Sequence, residues 1–231
     1  MSPSSDHSVA AKSGGCFPGN ASVTLESGAQ KSISALRPGE RVLASSGGDG
    51  GGELVFSEVL TFLDRDPTTR RLFYTLQTEA GAKLSLTTAH LIFVSQGNCS
   101  EGAEPAHGAL RTVYASQAEP GQCLLVSEGK VGRLSRINRV SVNMRRGAFA
   151  PLTWRGTVVV DGVVASCYAA VDQHWLAHWA FAPLRLMHSW TGNTGGHSDG
   201  MHWYSRLLLW LGRKLLDSGR LHPLGVAQDD R

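Results

Sequence analysis

From Cys16 onward the chain alternates short apolar runs with clusters of turn residues, and the runs are too brief for helices. Ala21–Leu25, Arg41–Ala44, Leu54–Phe62, Leu72–Thr78, Lys83–Thr87 and Leu91–Ser95 read as strands. A second series follows at Leu110–Ala115, Gln122–Ser127, Leu134–Val142 and Thr157–Ala165. The tract Ser45–Gly52 (SSGGDGGG) predicts a flexible hairpin tip, and Gln96–Gly108 predicts a polar loop. Many short strands at regular spacing predict an all-β domain. Residues 1–15 are polar, small and unpatterned, and read as a flexible lead-in.

An internal echo refines this expectation. Leu36-Arg37-Pro38-Gly39-Glu40-Arg41-Val42-Leu43-Ala44 is matched by Ala118-Glu119-Pro120-Gly121-Gln122-Cys123-Leu124-Leu125-Val126. Both give Pro-Gly, two variable residues and an apolar strand, so the β domain is expected to contain two related halves. After Cys167 the period changes. Trp175, Leu176, Trp179, Phe181 and Leu184 recur near helical spacing, and Trp203, Tyr204, Leu207, Leu208, Leu211 and Leu215 do so more clearly. Residues from about 168 onward therefore predict two amphipathic helices, which either cover the β domain or contact lipid.

Composition narrows the function classes. The 231 residues include 27 glycines and carry a net charge of only +3. The basic residues are dispersed, which argues against nucleic acid as a partner and leaves a weak preference for anionic membrane surfaces. The N-terminus has no apolar stretch of signal-peptide type, and no run is long enough to cross a bilayer. Cys16, Cys99, Cys123 and Cys167 lack CxxC spacing and resemble neither a zinc knuckle nor a disulfide framework. Cys123, on an apolar strand, is expected to be a buried structural thiol, and Cys99 an exposed odd thiol in a polar loop. His174 and His178 are spaced i,i+4, but His-Trp-Leu-Ala-His lacks the glutamate of HExxH, so no catalytic metal is expected. Asn20 and Asn98 each begin a possible N-glycosylation triplet.

Chemistry enters with Ser13-Gly14-Gly15-Cys16-Phe17-Pro18-Gly19. These residues form a turn before the first strand, or the Gly15–Cys16 bond is itself a substrate. A thiol can attack the carbonyl carbon of the preceding residue, converting an amide into a thioester. Glycine at 15 leaves that carbonyl open and tolerates distortion. Thr87 and His90 form a Thr-x-x-His pair: either a capped turn with a core histidine, or a hydroxyl and an imidazole beside a scissile amide. Asp64 and Asp66 are spaced to share one side of a strand.

The motifs Gly14–Gly19, Leu36–Leu43, Thr61–Asp66, Leu86–Leu91, Ala150–Thr153 and Ala165–Ala169 together resemble the C-terminal autoprocessing domain of vertebrate-type hedgehog precursors. Ala180–Leu186, His202–Ser205 and Leu221–Gly225 extend the resemblance almost to the C-terminus. It implies an all-β Hint (hedgehog/intein) fold with pseudo-twofold symmetry over 16–167, a helical sterol-recognition region over 168–231, and a remnant of an upstream signalling domain in 1–15. It further implies that Cys16 cleaves after Gly15, that Thr87 and His90 activate the scissile bond, and that Asp64 is the general base. Cys167 is implied to lie beside Cys16 and to tune it. The acceptor implied is cholesterol, a co-substrate rather than a cofactor, and no cofactor is expected.

The implied partners are cholesterol, a signalling domain in cis and a membrane surface. Processing in the endoplasmic reticulum and Golgi and secreted or membrane-associated products are also implied. The chain is on this reading a fragment of a longer precursor. Two other functions fit parts of the sequence. Intein-type splicing shares the cysteine-initiated step but requires a terminal His-Asn pair, whereas this chain ends Gln228-Asp229-Asp230-Arg231. A non-catalytic lipid-binding module would use the Trp-rich tail alone.

Overall fold

The computed structural model describes residues 15–95, 99–106, 108–169 and 182–183. Eleven strands form it: β1 (Ser22–Thr24), β2 (Gln30–Ser32), β3 (Arg41–Ser45), β4 (Leu54–Thr78), β5 (Lys83–Thr87), β6 (His90–Ser95), β7 (Leu110–Tyr114), β8 (Cys123–Glu128), β9 (Val131–Thr153), β10 (Thr157–Val160) and β11 (Val163–Ala169). They join in one sheet of order β2-β1-β10-β11-β8-β9-β4-β3, with β5 on β4, and β6 and β7 attached through β11. All of the named strand pairs are antiparallel.

The all-β reading holds, and the Pro-Gly echo has a structural basis. Each copy follows a single 3-10 turn, Ile33–Ala35 in one half and Ala115–Gln117 in the other. Gly39 and Gly121 both take positive φ, 88° and 96°. Their N–H groups donate to Val59 and Ile137 carbonyls at 2.8 and 2.9 Å, and those residues donate back to Glu40 and Gln122. Even the turn lock repeats: Glu40 accepts from the Arg37 N–H and Gln122 from the Glu119 N–H. Only a residue that tolerates left-handed φ can turn the chain here, which is why glycine recurs.

Two elements are longer than the sequence pattern suggests. Leu54–Phe62 and Leu72–Thr78 belong to one strand, β4, which pairs with β3 over its first five residues and with β9 from Val59 to Thr78. The intervening Leu63–Arg71 looked like a break because it is polar and contains Pro67. It instead carries register shifts at Phe62/Asp64 and Asp66/Arg70, where extra residues are absorbed as bulges. Asp66 stabilises the second one, its Oδ1 accepting from the Thr68 and Thr69 N–H groups at 3.0 Å. β9 likewise runs on from Leu134–Val142 to Thr153. The principal core includes Phe17, Ile33, Leu36, Leu76, Leu84, Leu86, Phe149 and Tyr168.

The cysteine assignments need correction. Cys99 is buried, and it forms a disulfide with Cys123, their Cα atoms 6.3 Å apart; neither is a free thiol. The polar loop is tied to β9 through Glu101, Gly102 and Ala103. Gly102 N–H donates to Leu134 O, Leu134 N–H to Ala103 O, and Ser135 Oγ to Glu101 at 2.6 Å. A cross-link between residues 24 apart in sequence contributes about 3 kcal/mol by restricting the unfolded chain. Cys99→Ser is expected to lower the melting temperature by about 10 °C. Reductant should bring the wild-type protein down to the same value in a thermal melt, and an unchanged midpoint contradicts this.

The helices expected from about residue 168 lie outside the described residues, apart from the pair 182–183. β11 itself continues through Ala169. Among the described residues no helix is long and apolar enough to cross a membrane.

Candidate active site

Residues 15–19 are buried in the sheet's interior, although their Gly and Pro content suggests a surface turn. The turn exists but begins after the cysteine, where Ala21 N–H donates to Pro18 O at 3.0 Å. Cys16 and Phe17 form an extra strand-like segment. Phe17 exchanges two backbone hydrogen bonds with Phe149 of β9, at 2.8 and 2.9 Å. On the other side, Thr87 at the end of β5 receives Cys16: the Thr87 N–H donates to Cys16 O at 3.0 Å, and the Cys16 N–H donates to Thr87 Oγ1 at 2.9 Å. The nitrogen of the Gly15–Cys16 bond is thus gripped by a side chain that β4–β5 pairing fixes through Phe73 and Thr87.

His90 opens β6 and is fully buried. Its ring packs on Phe17, centroids 4.3 Å apart, and its Nε2–H donates to Ser166 O of β11 at 2.8 Å. A carbonyl can only accept, so neutral His90 carries its proton on Nε2 and presents a lone pair at Nδ1. Nδ1 is buried, makes no well-formed hydrogen bond, and lies against Gly15. Gly15 fits only because it lacks a Cβ. One added there would come within 2.5 Å of Ala169 Cβ and 2.6 Å of His90 Nδ1.

Burial pushes the His90 pKa from 6.5 to about 4, against the smaller upward pull of the Ser166 and Gly15 backbone. The unfolded chain therefore binds this proton more tightly. Stability is complete above about pH 6.5 and falls as pH drops towards 4, by about 3 kcal/mol over that window. His90→Gln is expected to flatten this part of the pH dependence, read by urea unfolding at pH 7.5, 6, 5 and 4. Equal slopes for both proteins would contradict it.

Asp64 resolves the choice between the two carboxylates by geometry. Its Oδ2 lies 3.5 Å from Cys16 Sγ and 3.4 Å from the Arg71 guanidinium, all three groups being largely or fully buried. Asp66 is engaged in its turn. Burial raises the Asp64 pKa, with Arg71 and the Cys16 hydrogen bond pulling it back and Asp66 adding to the rise. Burial also pushes the Cys16 thiol well above its usual range, and Asp64 adds to that while Arg71 opposes it. The nucleophile rests as a protonated thiol that donates to a carboxylate.

Cys167 is buried on β11 and is not disulfide-bonded, and the same holds for Cys16 in its own segment. Its Sγ lies 3.7 Å from Thr153 Oγ1, and the preceding residue, Ser166, is the one that holds His90. Asn20 is exposed, and Asn98 lies outside the described residues. His174 and His178 also lie outside them. The structure thus brings together Gly15, Cys16, Asp64, Thr87 and His90. It adds Arg71, Phe149 and Ser166, for which the sequence offered no signal. Arg71 sits in Thr69-Arg70-Arg71-Leu72, a segment that reads as ordinary solvated charge.

The model of the Hint module family matches residues 4–217. The chain belongs to the Hint family. Among curated relatives it is 54% identical to the Indian hedgehog B protein of Danio rerio over 227 residues, covering 98% of this chain and 55% of that protein. It is 47% identical to the Indian hedgehog protein of Gallus gallus over 225 residues, covering 96% and 53%. The hedgehog protein of Drosophila virilis gives 39% over 215 residues, 84% of this chain and 42% of that one. The chain spans about half the length of the curated relatives it matches. A DnaB intein from Synechocystis sp. PCC 6803 shares the fold of this Hint domain, with a TM-score of 0.53 at 15% identity over 68% of this chain and 99% of that one. An intein from a hyperthermophile does so at 0.51 and 14%, over 66% and 99%.

Proposed function

We propose that this Hint domain cleaves its own chain after Gly15 through a thioester on Cys16, and passes the upstream peptide to the hydroxyl of cholesterol. The observation that carries the reading is a buried thiol, a buried carboxylate and a buried imidazole gathered around one Gly–Cys peptide bond. The first step moves one proton from sulfur to nitrogen. Cys16 Sγ bonds to the Gly15 carbonyl carbon, the carbon–nitrogen bond breaks, and the Cys16 nitrogen leaves as an amine. His90 Nδ1 is the acceptor that can hold the travelling proton, because its Nε2 is committed to Ser166. Thr87 keeps the amide nitrogen fixed meanwhile. Since all reacting groups are held within one fold, much of the entropic cost is met in advance, an advantage that can reach roughly 7–11 kcal/mol.

In the second step a sterol hydroxyl attacks the thioester carbon. Asp64 takes the hydroxyl proton, the carbon–sulfur bond breaks, and the proton returns to the departing sulfur. A buried site favours such an acceptor over water, which would otherwise end the thioester by hydrolysis. The cholesterol part of the reading draws on the resemblance to hedgehog proteins. So do a signalling domain in cis, processing in the endoplasmic reticulum and Golgi, membrane contact, and recognition of the sterol by residues 168–231. Dithiothreitol, which intercepts thioesters without any sterol, tests the first step: it should release residues 1–15 from the 231-residue chain, and an intact chain would contradict it.

A further inference from the structure

We propose that Arg71 is a catalytic residue of this site: its guanidinium, 3.9 Å from Cys16 Sγ and 3.4 Å from Asp64 Oδ2, holds the negative charge on sulfur in the first step and on the carboxylate before the second. The inference rests on the thioester reading above. Both reacting groups are acids that must lose a proton inside a desolvated interior, where an uncompensated anion is costly. Arg71 is a cation in contact with both of them.

The neighbouring charges are otherwise engaged. Arg65 points away, its guanidinium over the Phe62 and Phe149 rings and donating to Ser34 and Leu36 carbonyls. Arg145 stands across from Arg71 on β9 but acts on Asp161. Asp66 caps its bulge and opposes ionisation of both Cys16 and Asp64, while Arg71 favours ionisation of both. His90 is neutral at pH 7 and contributes no positive charge there. Asp64 and Arg71 meet across the bulge between Asp66 and Arg70, where β4 advances four residues against two on β9. A one-residue change in that bulge would turn the guanidinium to the other face.

In the first step the sulfur gives up its proton and gains partial negative charge as it approaches the carbonyl carbon. Arg71 is within reach of that charge, and no atom is transferred to or from it. In the second step the same guanidinium keeps Asp64 ionised until the hydroxyl proton arrives. When the carbon–sulfur bond breaks, the charge returns to Cys16 Sγ, again beside Arg71. A fixed cation placed where charge develops is worth at least about tenfold in rate in such a site.

The test uses the 231-residue chain with Arg71→Ala and Arg71→Lys. Dithiothreitol-induced and sterol-dependent release of residues 1–15 are each followed from pH 5.5 to 9. Arg71→Ala should slow both reactions at least about tenfold at neutral pH, move the basic rise of both profiles to higher pH, and leave Arg71→Lys between it and wild type. An Arg71→Ala protein that is slow but keeps the wild-type pH profile has lost only structure, and overturns the proposal, as do unchanged rates. If wild type responds to dithiothreitol but never to sterol, the transferase reading fails while the first-step comparison still decides the role of Arg71. A cleavage-independent readout completes the test. In the Cys16→Ala chain, carboxyl NMR of Asp64 should titrate at higher pH once Arg71 is also replaced by alanine, and an unmoved midpoint overturns the proposal whatever the cleavage assays show.

Discussion

Cys16→Ala is expected to abolish release of residues 1–15 under every condition, with dithiothreitol, with sterol or with both. Neither of the polar side chains that touch Cys16 from Thr87 and Asp64 can substitute. Thr87 Oγ1 is occupied by the Cys16 N–H, and Asp64 reaches the sulfur rather than the Gly15 carbonyl. The expected loss is at least about a millionfold, down to background amide hydrolysis, because the covalent route disappears rather than weakens. Cys16→Ala barely perturbs the fold, since the Phe17–Phe149 and Thr87 hydrogen bonds involve backbone atoms of the segment and Thr87 itself. Denaturing gel analysis over several days checks it. Residual sterol- or thiol-dependent cleavage in the alanine protein would show that another group opens the bond.

Asp64→Ala should separate the two steps. Loss of the carboxylate removes the proton acceptor for an attacking hydroxyl, and a general base of this kind accounts for roughly 10²–10⁴ in rate. The thioester step behaves differently. Asp64 opposes ionisation of Cys16, both by its charge and by accepting the thiol hydrogen bond. Its removal therefore eases thiolate formation, and dithiothreitol, which brings its own thiolate, should still release residues 1–15 within a few-fold of the wild-type rate. Parallel time courses with dithiothreitol and with cholesterol distinguish the outcomes. Equal losses in both would place Asp64 in the first step and contradict the division of labour proposed here.

Much of this was legible in the sequence because the signals were local. The Pro-Gly echo marked two turns whose hydrogen bonds proved equivalent, since each required a glycine at positive φ followed by an apolar strand. Cys16, Thr87 and His90 were open to bland readings by residue type and spacing alone, and the resemblance to hedgehog autoprocessing domains singled them out. The remaining features depend on contacts between distant segments. Asp64 and Asp66 look alike in one dimension, and only the bulges of β4 send one to the sulfur and the other into a turn. Arg71 reaches the site from beyond that bulge, seven residues along β4 from Asp64. Cys99 and Cys123 gave no framework pattern, because their pairing depends on a loop that folds back along β9 through backbone hydrogen bonds. Ser166 contributes a carbonyl, which no side-chain motif can announce.

The most direct measurement is the intact mass of the peptide released when the 231-residue chain is incubated with cholesterol and a mild reductant. The account predicts a species corresponding to residues 1–15 joined to cholesterol with loss of one water, formed at the expense of the free-acid peptide and absent without sterol. A released peptide of free-acid mass whether or not cholesterol is present, or a chain that stays whole, would contradict it.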